Sequence, residues 1–217
     1  MIGNDLVFSN IRNKPDERIR RSLKKVLADT EFEVLSDFDL YEKMSIAWSI
    51  KEACFKYCRR FEQLLFQPKS FVVQQIADQE TTEKTPFNEN DLERKGFAGI
   101  PHKVSIVKTP LETLICKSII TENYVHSIVT NDPKGFDEIC WGVSQIDSSK
   151  YKDQSLGVRE KARTHLLKVN NRRPDTNCYF QKDERQVPII YINGVECEVA
   201  LSFSHDHYFI AYAWCTI

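Results

Sequence analysis

The stretch LYEKMSIAWSIKEACFKYCRRFEQLLF, residues 40–66, decides how this chain reads. Ile46, Ile50, Ala53, Cys54, Tyr57, Phe61, Leu64 and Leu65 recur at three- and four-residue steps, which predicts one long helix over 40–66. Such an apolar stripe needs a partner surface. The flanking sequence offers strands. Residues 2–9, IGNDLVFS, read as a buried strand with an unexpected acid, Asp5, inside it. Residues 102–132 are rich in β-branched side chains and predict two or three antiparallel strands. A turn at DPKG (132–135) leads to a strand over 138–147, and 178–216 alternates as several strands with a tight hairpin at Asn193-Gly194. Further helices are expected over 16–27, opened by Pro15, and over 155–170, ended by RRPDTN. The polar stretch 78–96 reads as loop with room for one helical turn. Helices beside antiparallel strands give the α+β class.

The order strand, helix, antiparallel strands occurs over 1–132 and again over 133–217, so two halves with these boundaries are expected. Gly3 then aligns with Gly142, and Tyr124 with Tyr208. In the same alignment Asp5 falls opposite Ser144, Glu52 near Lys161 and His205 opposite Thr121. Internal duplication and a chance order of α+β elements both remain open as explanations.

A chain of 217 residues can bury a core without staples. Its seven cysteines are scattered and form no CxxC, which reads as reduced thiols in a cytoplasmic protein. Cys54 and Cys58 share a helix face, but no second pair completes a metal site. No basic segment followed by an apolar one opens the chain, and no apolar run approaches the roughly 20 residues of a membrane span. A formal net charge of -1 gives no whole-molecule pull toward nucleic acid. Charge is nonetheless concentrated on the 16–27 helix, at Arg18, Arg20, Arg21, Lys24 and Lys25, with Arg12 and Lys14 just before it. A solvated face and a docking face for an acidic partner are both open readings. Trp48 and Trp214 read as core aromatics.

Three clusters carry chemistry. Asp5 follows Gly3 and Asn4; Lys51-Glu52 lies in the helix with Lys56 one turn on; Ser204-His205 follows the apolar run VALSF. Singly, each has a plain structural reading. Glu52 and Lys56 make an ordinary i, i+4 ion pair, Asp5 caps a turn, and His205 ends a strand. Together and in this order, IGND, W-S-I-K-E-A-x-x-K (48–56) and S-F-S-H resemble the 4'-phosphopantetheinyl transferase superfamily. The motif order is that of its holo-acyl-carrier-protein synthase group. The close resemblance spans 2–8, 46–57 and roughly 186–214.

The resemblance implies a fused two-half form, or pseudo-dimer, each half packing antiparallel strands on helices. It implies a monomer with one cleft between the halves. It makes Asp5 and Glu52 ligands of Mg²⁺, which favours one or two carboxylates plus substrate phosphates and water. Coenzyme A is then the substrate and an apo acyl or peptidyl carrier protein the partner. A carrier serine attacks the β-phosphorus, and adenosine 3',5'-bisphosphate leaves. Glu52, or a water near it, accepts the proton. Lys56 faces the phosphates, and Ser204 and His205 contact them. Lys51 points about 100° away from Glu52 on a helix, so its role toward the cofactor stays open. Two departures from the family pattern stand out. Val7 replaces a second acid that many longer members carry. Gln186-Val187-Pro188 replaces Gly-Lys-Pro, leaving Arg185, or else Arg172 and Arg173, as a substitute phosphate contact. The competing classes are a non-catalytic coenzyme A or nucleotide binder of the same fold, and a binding module using the basic helix. The absence of further basic and aromatic clustering weakens the last of these.

Overall fold

The computed structural model describes residues 1–9, 14–79 and 88–216. Arg12, expected in the basic cluster, and residues 80–87 of the expected polar loop lie outside the described residues. The chain begins with strand β1 (Gly3–Phe8), followed by helices α1 (Asp16–Val26), α2 (Glu31–Val34) and α3 (Leu40–Cys58). Strands β2 (Val72–Gln79), β3 (Asp91–Lys95), β4 (His102–Lys108), β5 (Thr113–Ile120) and β6 (Tyr124–Thr130) come next. A short 3₁₀ turn over Pro133–Glu138 leads to β7 (Cys140–Gln145) and α4 (Tyr151–Val169). The chain finishes with β8 (Cys178–Lys182), β9 (Pro188–Ile192), β10 (Val195–Glu196), β11 (Val199–Asp206) and β12 (Phe209–Thr216).

These elements form the α+β arrangement of antiparallel sheets and few helices expected above. The first sheet has the order β1-β6-β5-β4-β2, the second β11-β12-β7-β3, and a small third sheet β10-β9-β8. Three apolar cores separate the layers. One joins α1, α2 and α3 to the first sheet through Leu23, Ile50, Tyr57, Val107 and Val129. The middle one fills the space between the two large sheets with Ile2, Leu6, Ile128, Trp141 and Ala211. The last packs α4 and the small sheet on the second large sheet through Leu166, Ile190, Tyr212 and Trp214.

The helix α3 starts at a capping box. Asp39 accepts from the amides of Tyr41 and Glu42, and Glu42 reaches back to the Asp39 amide. It ends at Cys58, eight residues before the expected boundary at 66. Just beyond its end, the Arg60 side chain bonds to the carbonyls of Ile2 and Leu201. Leu65 is consequently 85% exposed, while Leu64 and Phe66 still reach the first core. The 78–96 stretch also differs from expectation. Its two described ends are strands: β2 runs to Gln79, and polar β3 pairs with β7 from Asp91↔Ser144 to Lys95↔Cys140. A strand from before residue 132 therefore completes the second sheet, so a boundary at 132 does not separate the two sheets. The Asn193-Gly194 hairpin forms as expected, with φ of 52° and 79° at the two turn residues.

The two large sheets share a strand order. β1-β6-β5 in the first matches β7-β12-β11 in the second, both antiparallel. The same hydrogen bond closes each unit, from Ser9 N to Asn123 O and from Ile146 N to Tyr208 O. Counting from these bonds, Tyr124 matches Phe209, Asp5 matches Gly142, and His205 matches Ile120. The sequence alignment with Tyr208, Ser144 and Thr121 was displaced by one or two residues. The two turns have the same length: four residues lie between Ile120 and Val125, and four between the matching His205 and Ile210.

Gly3 allows α3 to lie directly on β1. A Cβ there would collide with the Ala53 carbonyl oxygen and sit 2.7 Å from the Tyr57 amide nitrogen, both backbone atoms that cannot swing away. The Gly3→Ala variant is expected to lose about 3 kcal/mol of unfolding free energy, an overpacking cost measurable by urea denaturation.

Candidate functional site

β1 is the edge strand of its sheet, and its outward amides need partners. β11 supplies them with side chains. Period-two alternation puts Ser202, Ser204 and Asp206 on one side of the strand. Asn4 N donates to Ser202 Oγ at 3.0 Å, Leu6 N to Ser204 Oγ at 3.0 Å and Phe8 N to Asp206 Oδ2 at 2.9 Å. The Asn4 side-chain amide adds a bond to the Ser202 carbonyl at 2.7 Å. β1 and β11 thus run side by side in parallel, joined through side chains. A cleft of about 860 Å³ opens along this seam. The α1 and α3 helices form one wall; α4, β8 and residues 186–188 form the other.

Asp5 sits at the bottom, 3% exposed. Its Oδ1 accepts from Lys56 Nζ at 2.7 Å and from Ser204 Oγ at 2.8 Å. The same ammonium lies 3.8 Å from Glu52 Oε1 and 3.3 Å from the Phe203 carbonyl. Asp5 and Glu52, distant in sequence, therefore converge on one Nζ. Ser49 Oγ ties the backbone together here by donating to the Asp5 carbonyl at 3.1 Å. Burial raises the Asp5 pKa to about 7; Lys56 opposes this, and the neighbouring Glu52 charge reinforces it. One ammonium for two clustered acids leaves the buried acid undercompensated.

Among the described residues no group of three His, Cys, Asp or Glu side chains could hold a metal ion. Two carboxylates do converge, and that donor set fits Mg²⁺, whose remaining positions are filled by water and substrate phosphates. Asp5 and Glu52 would hold the ion, and Lys56 would then turn toward the cleft. His205 lies on the opposite side of β11 from Ser204, edge-on to Tyr151 with ring centroids 5.0 Å apart. Burial, then the Lys56 charge, pushes its pKa down.

Four expected positions fall elsewhere. Lys51 is fully buried away from the cleft, which corrects its expected cofactor-binding role. Its Nζ meets Glu31 Oε2 at 2.7 Å and the Pro68 carbonyl at 3.1 Å, and also donates to the Phe71 carbonyl. The angular offset from Glu52 along the helix is the reason. Arg185 is not on the cleft wall either. It pairs with Asp183 at 3.5 Å, while Gln186, Val187 and Pro188 face the opening. Arg173 pairs with Asp175 at 3.1 Å, and neither it nor Arg172 lines the cleft. Cys54 and Cys58 are buried thiols in the first core, their pKa values pushed up by burial.

The sequence reading missed several cleft residues. Arg60 spans the seam, donating from Nε to the Ile2 carbonyl at 2.8 Å and from Nη2 to the Leu201 carbonyl. Burial lowers its pKa to about 10, and it makes no salt bridge among the described residues. Arg59, Arg159 and Lys182 add positive charge to the walls. Arg59 and Arg60 lie within the 40–66 span expected as one helix, and no motif singles them out there. Arg18 of α1 also lines the cleft, so the basic helix borders it.

No helix among the described residues is long and apolar enough to cross a membrane. A family model described as the 4'-phosphopantetheinyl transferase superfamily matches residues 1–108. No curated protein matches the chain.

The raised Asp5 pKa gives a pH signature. Stability from the protonated acid is fully present below its unfolded value of 3.8 and is lost as pH rises through about 7. In divalent-free buffer, Asp5→Asn is therefore expected to gain stability relative to the parent protein between pH 5 and pH 8. Urea midpoints at several pH values check this; a difference that stays flat or shrinks contradicts it.

Proposed function

We propose that the chain, whose residues 1–108 match a family model of the 4'-phosphopantetheinyl transferase superfamily, transfers 4'-phosphopantetheine from coenzyme A to a serine of an apo carrier protein. One observation carries the reading. Asp5, Glu52 and Lys56 of the first half meet Ser204 and His205 of the second at a single cleft. About 860 Å³ is within the usual range for a cofactor-sized ligand.

In the proposed reaction the carrier serine oxygen attacks the β-phosphorus of coenzyme A. A new oxygen–phosphorus bond forms, and the bond from that phosphorus to the bridging oxygen of the pyrophosphate breaks. Adenosine 3',5'-bisphosphate leaves with the bond's electron pair. Glu52, 30% exposed at the cleft wall, is placed to accept the serine proton. Asp5 and Glu52 would hold Mg²⁺, whose chemistry would be charge neutralisation at the pyrophosphate. Lys56, Arg59 and Arg60 supply positive charge close to the same group, and His205 borders it. Arg59 and Arg60, which form no salt bridge among the described residues, suit a ligand that carries several negative charges.

The matching strand orders support a pseudo-dimer reading in which the first half keeps the carboxylates and the second keeps the Ser-His strand. That division supports a monomer with one site, of the holo-acyl-carrier-protein synthase motif order. The exposed basic face of α1, beside the cleft, is the proposed landing surface for an acidic carrier helix. Long-range attraction of this kind mainly accelerates encounter and is salt-sensitive.

Incubation with apo carrier proteins of fatty acid, polyketide and peptide type, coenzyme A and Mg²⁺ tests the proposal. At least one carrier is expected to gain the mass of one phosphopantetheine. Glu52→Ala is expected to slow transfer by about 100-fold or more. Reversing Arg20 and Lys24 to Glu is expected to raise KM for the carrier while sparing kcat. Unmodified carriers alongside tight coenzyme A binding would favour the non-catalytic alternative.

A further inference from the structure

Of the three β11 side chains that meet the β1 edge, only Ser204 also bonds to Asp5. Ser202 accepts the Asn4 amide and bonds to no site group. Asp206 accepts the Phe8 amide through Oδ2 and pairs through Oδ1 with the exposed His207 at 2.8 Å, away from Asp5. Ser204 Oγ accepts the Leu6 amide at 3.0 Å and at the same time donates to Asp5 Oδ1 at 2.8 Å. A hydroxyl has one proton. With a lone pair taken by the amide, that proton is aimed at the carboxylate.

Asp5 Oδ1 thus receives two donors, Lys56 from the first half and Ser204 from the second. Asp5 Oδ2 has no hydrogen bond among the described residues and is not sealed from solvent. Two donors on one oxygen fix the rotation of the carboxylate and leave the other oxygen for a ligand. Ser204 Oγ is engaged on both sides, by the Leu6 amide and by Asp5, so its one proton is not free for a ligand entering the cleft.

We propose that Ser204 is a positioning residue, which turns Asp5 Oδ2 toward the cleft as the cation-binding oxygen and does so only when the two halves are docked. This replaces the phosphate contact expected from the sequence, and it rests on the cation role given to Asp5 under the proposed function. Metal affinity then depends on closure of the β1–β11 seam. Supporting hydrogen bonds to metal ligands typically carry about 10- to 100-fold in affinity.

The test is a Mn²⁺ titration of the substrate-free full chain, following the electron paramagnetic resonance signal of the free aquo ion. Ser204→Ala is expected to weaken Mn²⁺ binding about tenfold or more. Ser202→Ala removes the same kind of seam bond, so it should lower the melting temperature comparably yet leave Mn²⁺ affinity unchanged. Ser204→Thr keeps the hydroxyl and should retain affinity. Ser204→Cys, a weaker donor of similar size, should fall between, and it serves if the alanine variant fails to fold. Native affinity in the alanine and cysteine variants overturns the positioning role alone. So does equal weakening by Ser202→Ala and Ser204→Ala. A parent protein that binds no Mn²⁺ overturns the metal role of Asp5 and this proposal with it.

Discussion

The structure depends on how one sheet edge is satisfied. Edge-strand amides must find acceptors, and the usual solution is another backbone at about 4.8 Å. Here β1 is met by Ser202, Ser204 and Asp206 side chains instead. Side-chain spacers hold the two strands farther apart than a ladder would, and Arg60 bridges the gap through the Ile2 and Leu201 carbonyls. The cleft is the space this arrangement leaves. The matching edge of the second sheet is treated differently. There β3 zips onto β7 by an ordinary backbone ladder of five residue pairs, and the edge is closed. One topology thus gives one open seam and one sealed one.

Charge within the cleft follows from the same geometry. Asp5 lies on the face of β1 that meets α3, because Gly3 two residues earlier lets the helix come close. That contact buries the acid and brings it to Lys56, one helical turn from Glu52. The walls then carry more cations than acids. A buried Asp5 and a partly exposed Glu52 that share one ammonium, beside guanidinium groups short of negative charge, are complementary to a divalent cation bound with an anionic phosphate ligand. The other buried ion pair, Lys51 with Glu31, has its charges closed on each other and on backbone groups. It braces α3 against β2 and takes no part in the cleft.

Legibility varied along the chain for physical reasons. Elements with strong apolar periodicity were readable: β1, the first five turns of α3, the β4–β6 meander, and β11–β12. The polar strands β2 and β3 were not, because each lies at a sheet edge and needs few apolar residues. Leu92 is the only buried side chain of β3. Residues 59–66 continue the helical spacing, yet the helix stops at Cys58 and Arg60 bonds instead to the carbonyls of Ile2, just before β1, and Leu201 of β11. No local signal records that competition. Among the site residues, Asp5, Glu52, Lys56 and His205 were picked out by a motif and do line one cleft. Lys51 belongs to the same motif yet points elsewhere, to Glu31.

The sequence by itself determined the secondary-structure plan, the α+β class, and which side chains carry reactive chemistry. Those properties depend on residue type and on spacing within one element. Only the tertiary structure decided which chemistry shares a site. Ser204 reaches Asp5 across 199 positions of chain, and Arg60 reaches Leu201 across 141. Such contacts are set by the register of β11 against β1 and by the approach of α3 to Gly3. Register and approach are products of packing between elements, which local pattern does not encode.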